Sequence, residues 1–320
     1  MTRYKNFREF YETSLKPDLE IIDRDRKKVN KRALTIISAT VAAVILEIVL
    51  IPSAAEMLKG FIPMITGFAG LVSTGIVSKN YRKEYKSKII AKITSFLDEG
   101  MVYTPEAMVP VSEFIKSDIF SLSVDSYTGE DHFRGKIGKT DIEFSEVTAK
   151  HLNTTQSNQG SKQEYITIFS GVFVIADFNK NFLTQTLVLP DTAEKLFGKF
   201  GQTLQSIGAG KKKLVRLENP EFEKEFCVYG EDQVEARYII TPSLMERILI
   251  YKRKWKSKIS LSFVDSKVYL AINMNKNLFE TRIFRPVADY SFMEENLRFL
   301  ILLTEIVEDL NLNTRIWTKE

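Results

Sequence analysis

The residues best suited to chemistry are the carboxylates between positions 218 and 235. Seven acidic residues lie in this stretch, and paired carboxylates can bind a divalent cation or act as general acid and base. The candidate acidic cluster consists of Glu221, Glu223, Asp232, Glu235 and Arg237. Because their spacing matches no known metal loop and the arginine offers ion pairs, we expect structural salt bridges, and a metal-assisted hydrolase stays the alternative.

Other side chains that carry chemistry are few. Cys227 is the single cysteine, and it lies between Phe226 and Val228, where we expect a buried and unreactive thiol. The two histidines, His132 and His151, lie in polar stretches without a serine or cysteine signature beside them. These counts exclude a disulfide framework, a CxxC site and a histidine-rich metal cage. We therefore expect no cofactor and no bound metal.

Two basic runs suggest contact with anions. Residues 208–213 resemble a phosphate-binding loop, but the P-loop pattern needs a glycine where Gln205 stands and a serine or threonine where Lys212 stands. Lipid headgroups are an alternative, since each lysine near an anionic surface contributes about 1 kcal/mol. The candidate lipid-contacting residues are Lys211, Lys212, Lys213, Lys252, Arg253 and Lys254. Because the runs are isolated and the net charge is only +4, we expect no nucleic-acid binding.

The elements that position these residues begin with two apolar segments, 33–51 and 61–77. Each approaches the roughly 20 residues that cross a bilayer core. The first holds eleven Leu, Ile and Val residues, which favour insertion by roughly 3 to 7 kcal/mol, against a cost of at most about 3 kcal/mol for Glu47. The segments therefore predict a transmembrane helical hairpin, and a mean hydropathy of −0.12 excludes a carrier with many spans.

Glu47 is the single charged residue within these two segments. Residues four apart share a helix face, so folding the hairpin brings Glu47 near Thr66 and Ala43 near Gly70. Small residues and hydroxyl groups favour such packing between membrane helices. Glu47 and Thr66 are therefore the candidate intramembrane polar pair. A functional acid and a carboxylate that only snorkels to the interface are both open.

Basic residues flank the hairpin on both sides. Four precede the first span and five follow the second, whereas the connector holds only Lys59 beside Glu56. The positive-inside rule therefore predicts that both termini are cytoplasmic. The predicted organisation is an N-terminal cytoplasmic helical segment 1–32, the transmembrane hairpin 33–77, a helical stalk 78–100, and a cytoplasmic domain 101–320.

Short β-rich runs dominate the chain beyond the stalk. We expect an exposed loop over 153–162, a helix over 241–254, a hairpin turned at residues 265–266, another strand over 279–284, and a final amphipathic helix over 291–310. Clustered strands without regular βαβ alternation predict an α+β fold, with a mainly antiparallel sheet and packed helices. A pleckstrin-homology-like barrel is one form that this pattern allows.

Two stretches resemble a known family. LENPEFEKEFCVYGEDQVEARYIITPSLMER at 217–247 and FSGVFVIADFNK at 169–180 are similar to DUF3137, a family of bacterial membrane-associated proteins of unknown function. The resemblance implies a bacterial inner-membrane protein with a cytoplasmic domain. It supplies no activity and no catalytic residues, and it implies a LemA-type membrane protein as a candidate partner.

Three functional hypotheses follow. The leading one is a membrane-anchored, cytoplasmic-facing binding or scaffold protein without an enzymatic site, whose partners are the lipid bilayer and other membrane proteins. The second is a membrane-anchored hydrolase that uses the acidic cluster with a metal. The third is a homo-oligomeric structural assembly in the membrane. The geometry of the carboxylates and of the Gly70 face distinguishes these hypotheses.

Overall fold

A computed structural model describes residues 2–51, 56–157, 160–178, 180–191, 212–275, 277–310 and 312. The chain divides into two compact units: Met1–Ile93 with Phe279–Leu297, and Thr94–Leu278 with Arg298–Glu320. The first unit contains long apolar helices, and the second contains an antiparallel sheet with helices. The predicted α+β class is confirmed.

The first unit is built mainly from helices. They are α1 (Thr2–Phe10), α2 (Lys16–Leu50), α3 (Glu56–Tyr85) and α4 (Ala91–Leu97), with π-helical turns at Tyr11–Leu15 and Lys86–Ile90. Pro17 lies where the π-helical turn Tyr11–Leu15 continues into α2, and such a turn accommodates a residue that has no N–H to donate. Helix α3 continues through Pro63 and several glycines, residues that weaken a helix in isolation.

Two of these helices are long and apolar enough to cross a membrane. Of the most apolar window in each, 6% is buried in the first helix and none in the second. A core helix of a water-soluble protein would be mostly buried. The apolar side chains of this hairpin instead point outward, among them Val41, Ile45, Phe68 and Leu71.

The remainder of the first unit has a packed core. The fully buried apolar side chains include Phe7, Leu15, Leu19, Tyr85, Ile89 and Ile93. Lys92 links the two helical segments, because its Nζ donates to the Ser14 carbonyl at 3.2 Å and pairs with Asp18 at 2.5 Å. The helical segments on the two sides of the hairpin therefore pack against each other.

Residues Phe279–Leu297 complete this core. Arg26 donates to the Ile283 carbonyl at 3.0 Å, and Tyr81 donates to the Arg282 carbonyl at 2.8 Å. Burial raises the pKa of Tyr81 to about 12. The strand that we predicted over 279–284 is wrong, because this segment bonds to helix side chains and adopts no strand conformation.

The second unit contains one antiparallel sheet. Its strands are β1 (Val102–Thr104), β2 (Ser126–Ile137), β3 (Thr140–Ser157), β4 (Gly160–Asp177), β5 (Thr186–Pro190), β6 (Lys213–Val215), β7 (Phe226–Gly230), β8 (Ile259–Val264) and β9 (Lys267–Asn273). Their order is β1-β2-β3-β4-β9-β8-β5-β7-β6. Within the described residues β1 and β6 do not pair, so the sheet does not close into a barrel.

Strands β3 and β4 form the longest hairpin of the sheet. Their pairing continues through Asn153 opposite Glu164 and Thr155 opposite Lys162. The loop that we predicted over 153–162 is therefore wrong for its described residues. Backbone groups make the ladder whatever the side chains are, and polar residues suit a ribbon with both faces in water.

Six helices accompany the sheet segments in the described chain. They are α5 (Val111–Lys116), α6 (Pro220–Glu225), α7 (Gln233–Ile239), α8 (Pro242–Trp255), α9 (Tyr290–Thr304) and α10 (Ile306–Asp309). The predicted helix start at Thr241 is confirmed, because its hydroxyl accepts the Leu244 N–H at 3.3 Å. The hairpin turn at Asp265 and Ser266 is confirmed as well, and both residues have positive φ.

The core of the second unit is rich in aromatic residues. Phe114 lies with its ring centre 5.0 Å from that of Phe173 and 5.9 Å from that of Phe169. Tyr269 is fully buried, and its hydroxyl donates to Glu113 at 2.9 Å. This core fixes α5 on the central strands β4 and β9.

Candidate functional site

The hairpin contains the polar contact that its sequence predicts. Thr66 Oγ1 donates to Glu47 Oε1 at 2.7 Å, and Glu47 Oε2 is buried without a hydrogen-bond partner in the described part of the chain. One carboxylate oxygen is therefore satisfied by α3 and the other is not. A half-satisfied acid in an apolar region is costly, so this contact holds the two helices in one register.

Small residues bring α2 and α3 close together at a second point. A Cβ atom added at Gly70 would lie 2.6 Å from Thr40 Cγ2, which is closer than real Cβ contacts. Gly70 thus packs against Thr40, about one turn from the Ala43 that we expected opposite it. The Gly70 face is occupied within one hairpin.

The predicted acidic cluster is not a single site. Glu221 pairs with Arg253, whereas Glu223 accepts the Leu217 N–H at 2.9 Å. Asn219 caps α6 by accepting the Glu221 and Phe222 N–H groups at 3.0 and 3.1 Å. The two glutamates of α6 therefore hold different neighbours in place.

The carboxylates around α7 have separate structural roles as well. Asp232 caps α7 by accepting the N–H groups of Val234 and Glu235 at 2.7 and 3.0 Å. These two backbone hydrogen bonds hold the pKa of Asp232 below its ordinary value, and the one from Glu235 has the larger effect. Glu235 itself accepts the N–H groups of Leu183 and Thr184, both at 2.8 Å. It thereby fixes the loop that precedes β5.

Among the described residues, Arg237 forms no ion pair with these carboxylates. Its Nη1 donates to the Gln233 carbonyl one turn earlier at 3.0 Å. Among the described residues, no group of three or more His, Cys, Asp or Glu side chains is placed to hold a metal ion. The geometry therefore offers structural roles for the candidate carboxylates and no shared cation site.

Cys227 and His132 each lie beside a carboxylate. Cys227 is 8% exposed, and its Sγ lies 3.8 Å from Asp191 Oδ1. His132 Nε2 lies 2.9 Å from Glu143 Oε1. This hydrogen bond, opposed by burial, lowers the pKa of Glu143. No arrangement of a nucleophile with a base and a third orienting group follows from these contacts.

Comparison with known proteins identifies the second half of the chain. The family model of DUF3137, described as a protein of unknown function, matches residues 167–312. Over these residues the chain is similar to the DUF3137 family. The resemblance seen in the sequence is thus confirmed for this DUF3137 segment, which runs from β4 to the end of α10.

No curated protein matches the chain that carries the DUF3137 segment. Among solved structures, the crystal structure of the mycobacterial trehalose monomycolate transport factor A, TtfA, is similar at 10% identity with a TM-score of 0.36. That alignment covers 71% of this chain and 93% of TtfA.

Most of the predicted lipid-contacting residues in and near the DUF3137 segment form ion pairs. Lys252 pairs with Glu225, and Arg253 pairs with Glu221. Lys254 contacts Glu305 at 3.0 Å and Asp309 at 2.8 Å. These carboxylates neutralise part of the basic run at the end of α8.

The other basic run differs from residue to residue. Lys211 lies outside the described residues. Lys212 is buried in an ion pair with Asp118, and Lys213 is exposed on β6. Of the two lysines that the structure describes, Lys213 is the one whose side chain is exposed.

Sequence reasoning missed one group of charges in the first unit. Lys86 is only 5% exposed, and its Nζ lies 3.1 Å from Glu280 Oε1, whereas Arg82 lies 3.0 Å from Glu280 Oε2. We counted both cations among the residues that flank the second span. Their acidic partner, Glu280, is distant in sequence, so no local sequence pattern predicts the contact.

Proposed function

We propose that this protein is a membrane-anchored binding or scaffold protein. The main support is the exposure of both apolar helices. Only 6% of the most apolar window is buried in the first helix, and none of it is buried in the second. Exposed apolar surface on this scale is unfavourable in water and favourable in lipid. We infer that the hairpin inserts in a bacterial inner membrane, which the family resemblance implies, with both termini in the cytoplasm, which the flanking charges predict.

The distribution of charge supports this orientation. Lys31 and Arg32 precede the first span, Lys79 and Lys83 follow the second, and the connector side has Lys59 alone among basic residues. Cations are retained on the cytoplasmic side of a membrane. The second unit, and the part of the first unit outside the bilayer, would then face the cytoplasm.

A binding role suits this arrangement better than catalysis. Glu221 and Glu223 each hold a different neighbour, and Asp232 and Glu235 fix backbone, so a metal-assisted hydrolase gains no support. Gly70 packs within its own hairpin, so its face does not support the homo-oligomeric assembly. Tethering raises the local concentration of a binding domain at the membrane without any catalytic site.

Membrane insertion is tested by the double substitution Val41→Arg with Ile45→Arg. Both side chains are exposed apolar residues of α2, and each exchange costs about 3 kcal/mol on the insertion scale. We expect the variant to leave the carbonate-washed membrane pellet. The matched control is Leu183→Arg with Val234→Arg, two exposed apolar residues of the second unit, which should stay in the pellet. Equal behaviour of both variants would reject the anchor.

The scaffold role is tested by purification of the intact protein from detergent-solubilised membranes. We expect specific co-purification of membrane proteins, and a LemA-type protein is the candidate that the family resemblance implies. The Val41→Arg with Ile45→Arg variant provides the control, because it lacks the tether and should lose these partners. Recovery of no specific partner with the intact protein would count against the scaffold role.

A further inference from the structure

A cavity of about 550 Å³ lies in the second unit where three segments meet. Its walls come from the end of β5, from the junction of α6 with β7, and from the last turn of α8 with the linker to β8. The lining residues used below are Lys224, Glu225, Phe226, Leu249, Lys252, Arg253, Lys256, Lys258 and Ile259. Nothing in the acidic cluster or the hairpin assigns a role to this cavity.

The cavity is strongly cationic. Five lysine and arginine side chains line it, against two carboxylates, Asp191 and Glu225. Glu225 pairs with Lys252, and Arg253 pairs with Glu221 outside the lining. A concave surface with one excess sign of charge concentrates the field and attracts counter-ions. The excess here is positive, so the occupant should be an anion.

Three of the cations have no carboxylate partner in the part of the chain that the structure describes. They are Lys224, Lys256 and Lys258, each of which lines the cavity. The C-terminal end of α8 carries a negative partial charge of only about half a unit, which does not neutralise three ammonium groups. A ligand with several anionic oxygens would satisfy them.

Lys256 has an unusual backbone for a lysine. It ends α8 in the left-handed conformation, with φ of 52° and ψ of 31°. Glycine is the favoured residue at such a helix end, because a Cβ is strained there. The lysine therefore occupies a position that backbone preference alone would give to glycine, and its side chain lies at the cavity wall.

The remaining wall is apolar. Phe226, Leu249 and Ile259 line the cavity and are buried, and Lys252 Nζ lies 5.7 Å from the centre of the Phe226 ring. Small-ligand sites combine such an apolar wall with a few convergent polar groups. An inorganic anion would use only the cationic side, whereas an anion with an apolar portion would use both.

We propose that this cavity binds a phosphate-bearing molecule with an apolar portion, the phosphate on Lys224, Lys256 and Lys258. A phospholipid headgroup and a soluble phosphorylated metabolite share this chemistry. The site lies within the second unit and does not depend on the membrane anchor. Failure of the site would therefore leave the proposed anchoring role untouched.

The test uses the full chain in nanodiscs of phosphatidylcholine. Calorimetric titrations with phenyl phosphate and with dihexanoyl phosphatidylglycerol, each corrected with empty nanodiscs, compare a soluble phosphate that has an apolar portion with a lipid headgroup. We expect the double substitution Lys256→Gln with Lys258→Gln to weaken binding by about tenfold or more. Stronger binding of the lipid would identify a headgroup site, and equal binding would identify a soluble phosphorylated ligand.

A matched control separates the site from general charge. Lys136→Gln with Lys162→Gln removes the same charge from two exposed residues of the second unit that do not line the cavity, and binding should stay unchanged. Lys256→Gly is a second variant that preserves the end of α8 if the glutamine pair does not fold. Absence of binding to both probes would overturn the proposal. Equal loss of binding in the control variant would overturn it as well.

Discussion

Replacement of Gly70 by alanine tests how the two membrane helices pack. An added Cβ would lie 2.6 Å from Cγ2 and 2.9 Å from Cβ of Thr40, so α2 and α3 must move apart. Overpacking of this kind costs about 1 to 3 kcal/mol. Separation of the helices would also lengthen the 2.7 Å bond from Thr66 to Glu47. We expect the Gly70→Ala hairpin to be less stable by that amount.

Gly67 provides the matched control on the same helix. No heavy atom lies within 4 Å of a Cβ added there, so Gly67→Ala meets open space. Alanine in a helix interior is favoured over glycine by up to about 1 kcal/mol. The two variants should therefore differ by about 1 to 4 kcal/mol although both make the same chemical change.

The assay follows unfolding of the hairpin through the distance between its spans. Dyes are attached to cysteines placed at Leu34 and Ile76, two exposed residues of α2 and α3, in a chain with Cys227→Ser. Energy transfer is then measured during titration with a denaturing detergent. Equal midpoints for Gly70→Ala and Gly67→Ala would refute the packing. Greater loss in Gly67→Ala would place the outward glycine in a contact between protomers.

Three further predictions concern single side chains. Thr66→Val removes the hydrogen bond to Glu47 and should destabilise the hairpin by about 1 to 2 kcal/mol in the same assay; an unchanged midpoint would contradict the contact. Glu143 has a lowered pKa because of its hydrogen bond from His132, against burial, so its stabilising effect should be present above its ordinary pKa and be lost as pH falls through the lowered value. Thermal unfolding of Glu143→Gln should therefore differ from the wild type at neutral pH and converge with it in acid; a constant difference would contradict this. Lys256→Gly should raise stability by about 0.5 to 1 kcal/mol, since relief of the left-handed backbone exceeds the entropy lost by glycine, while phosphate binding falls; a less stable variant would contradict the strain.

Local patterns predicted the elements whose causes are local. The apolar runs gave the two spans, and four-residue spacing placed Glu47 beside Thr66. The helix start at Thr241 was predictable because its capping hydroxyl bonds to an N–H group three residues later. Such bonds depend on neighbours in sequence and need no knowledge of the fold.

Long-range pairing was not predictable in the same way. Residues 279–284 have the composition of a strand, yet Ile283 and Arg282 bond to Arg26 and Tyr81, which lie about 200 or more residues away. The polar stretch 153–162 reads as a loop, but ladder hydrogen bonds come from the backbone and carry no side-chain signal. Tertiary structure decided both segments.

The cationic cavity shows the same limit at the level of function. Lys252 and Arg253 were visible as a basic run, but they are neutralised by Glu225 and Glu221. The unpaired cations are divided between α6 and the linker after α8, and only the fold brings Lys224 near Lys256 at one wall. The basic run in the sequence therefore predicted Lys252 and Arg253 as anion contacts, whereas the lysines without a carboxylate partner lie elsewhere in the chain.

The central claim is that the hairpin anchors the chain, with the second unit and the part of the first unit outside the bilayer in the cytoplasm. The most direct measurement is labelling of single cysteines with a membrane-impermeant maleimide, in a chain that carries Cys227→Ser. We predict that Lys59→Cys, in the connector, is labelled in intact bacterial cells, and that Lys136→Cys in the second unit is labelled only after the membrane is permeabilised. Labelling of Lys136→Cys in intact cells, or protection of Lys59→Cys from the reagent, would contradict the account.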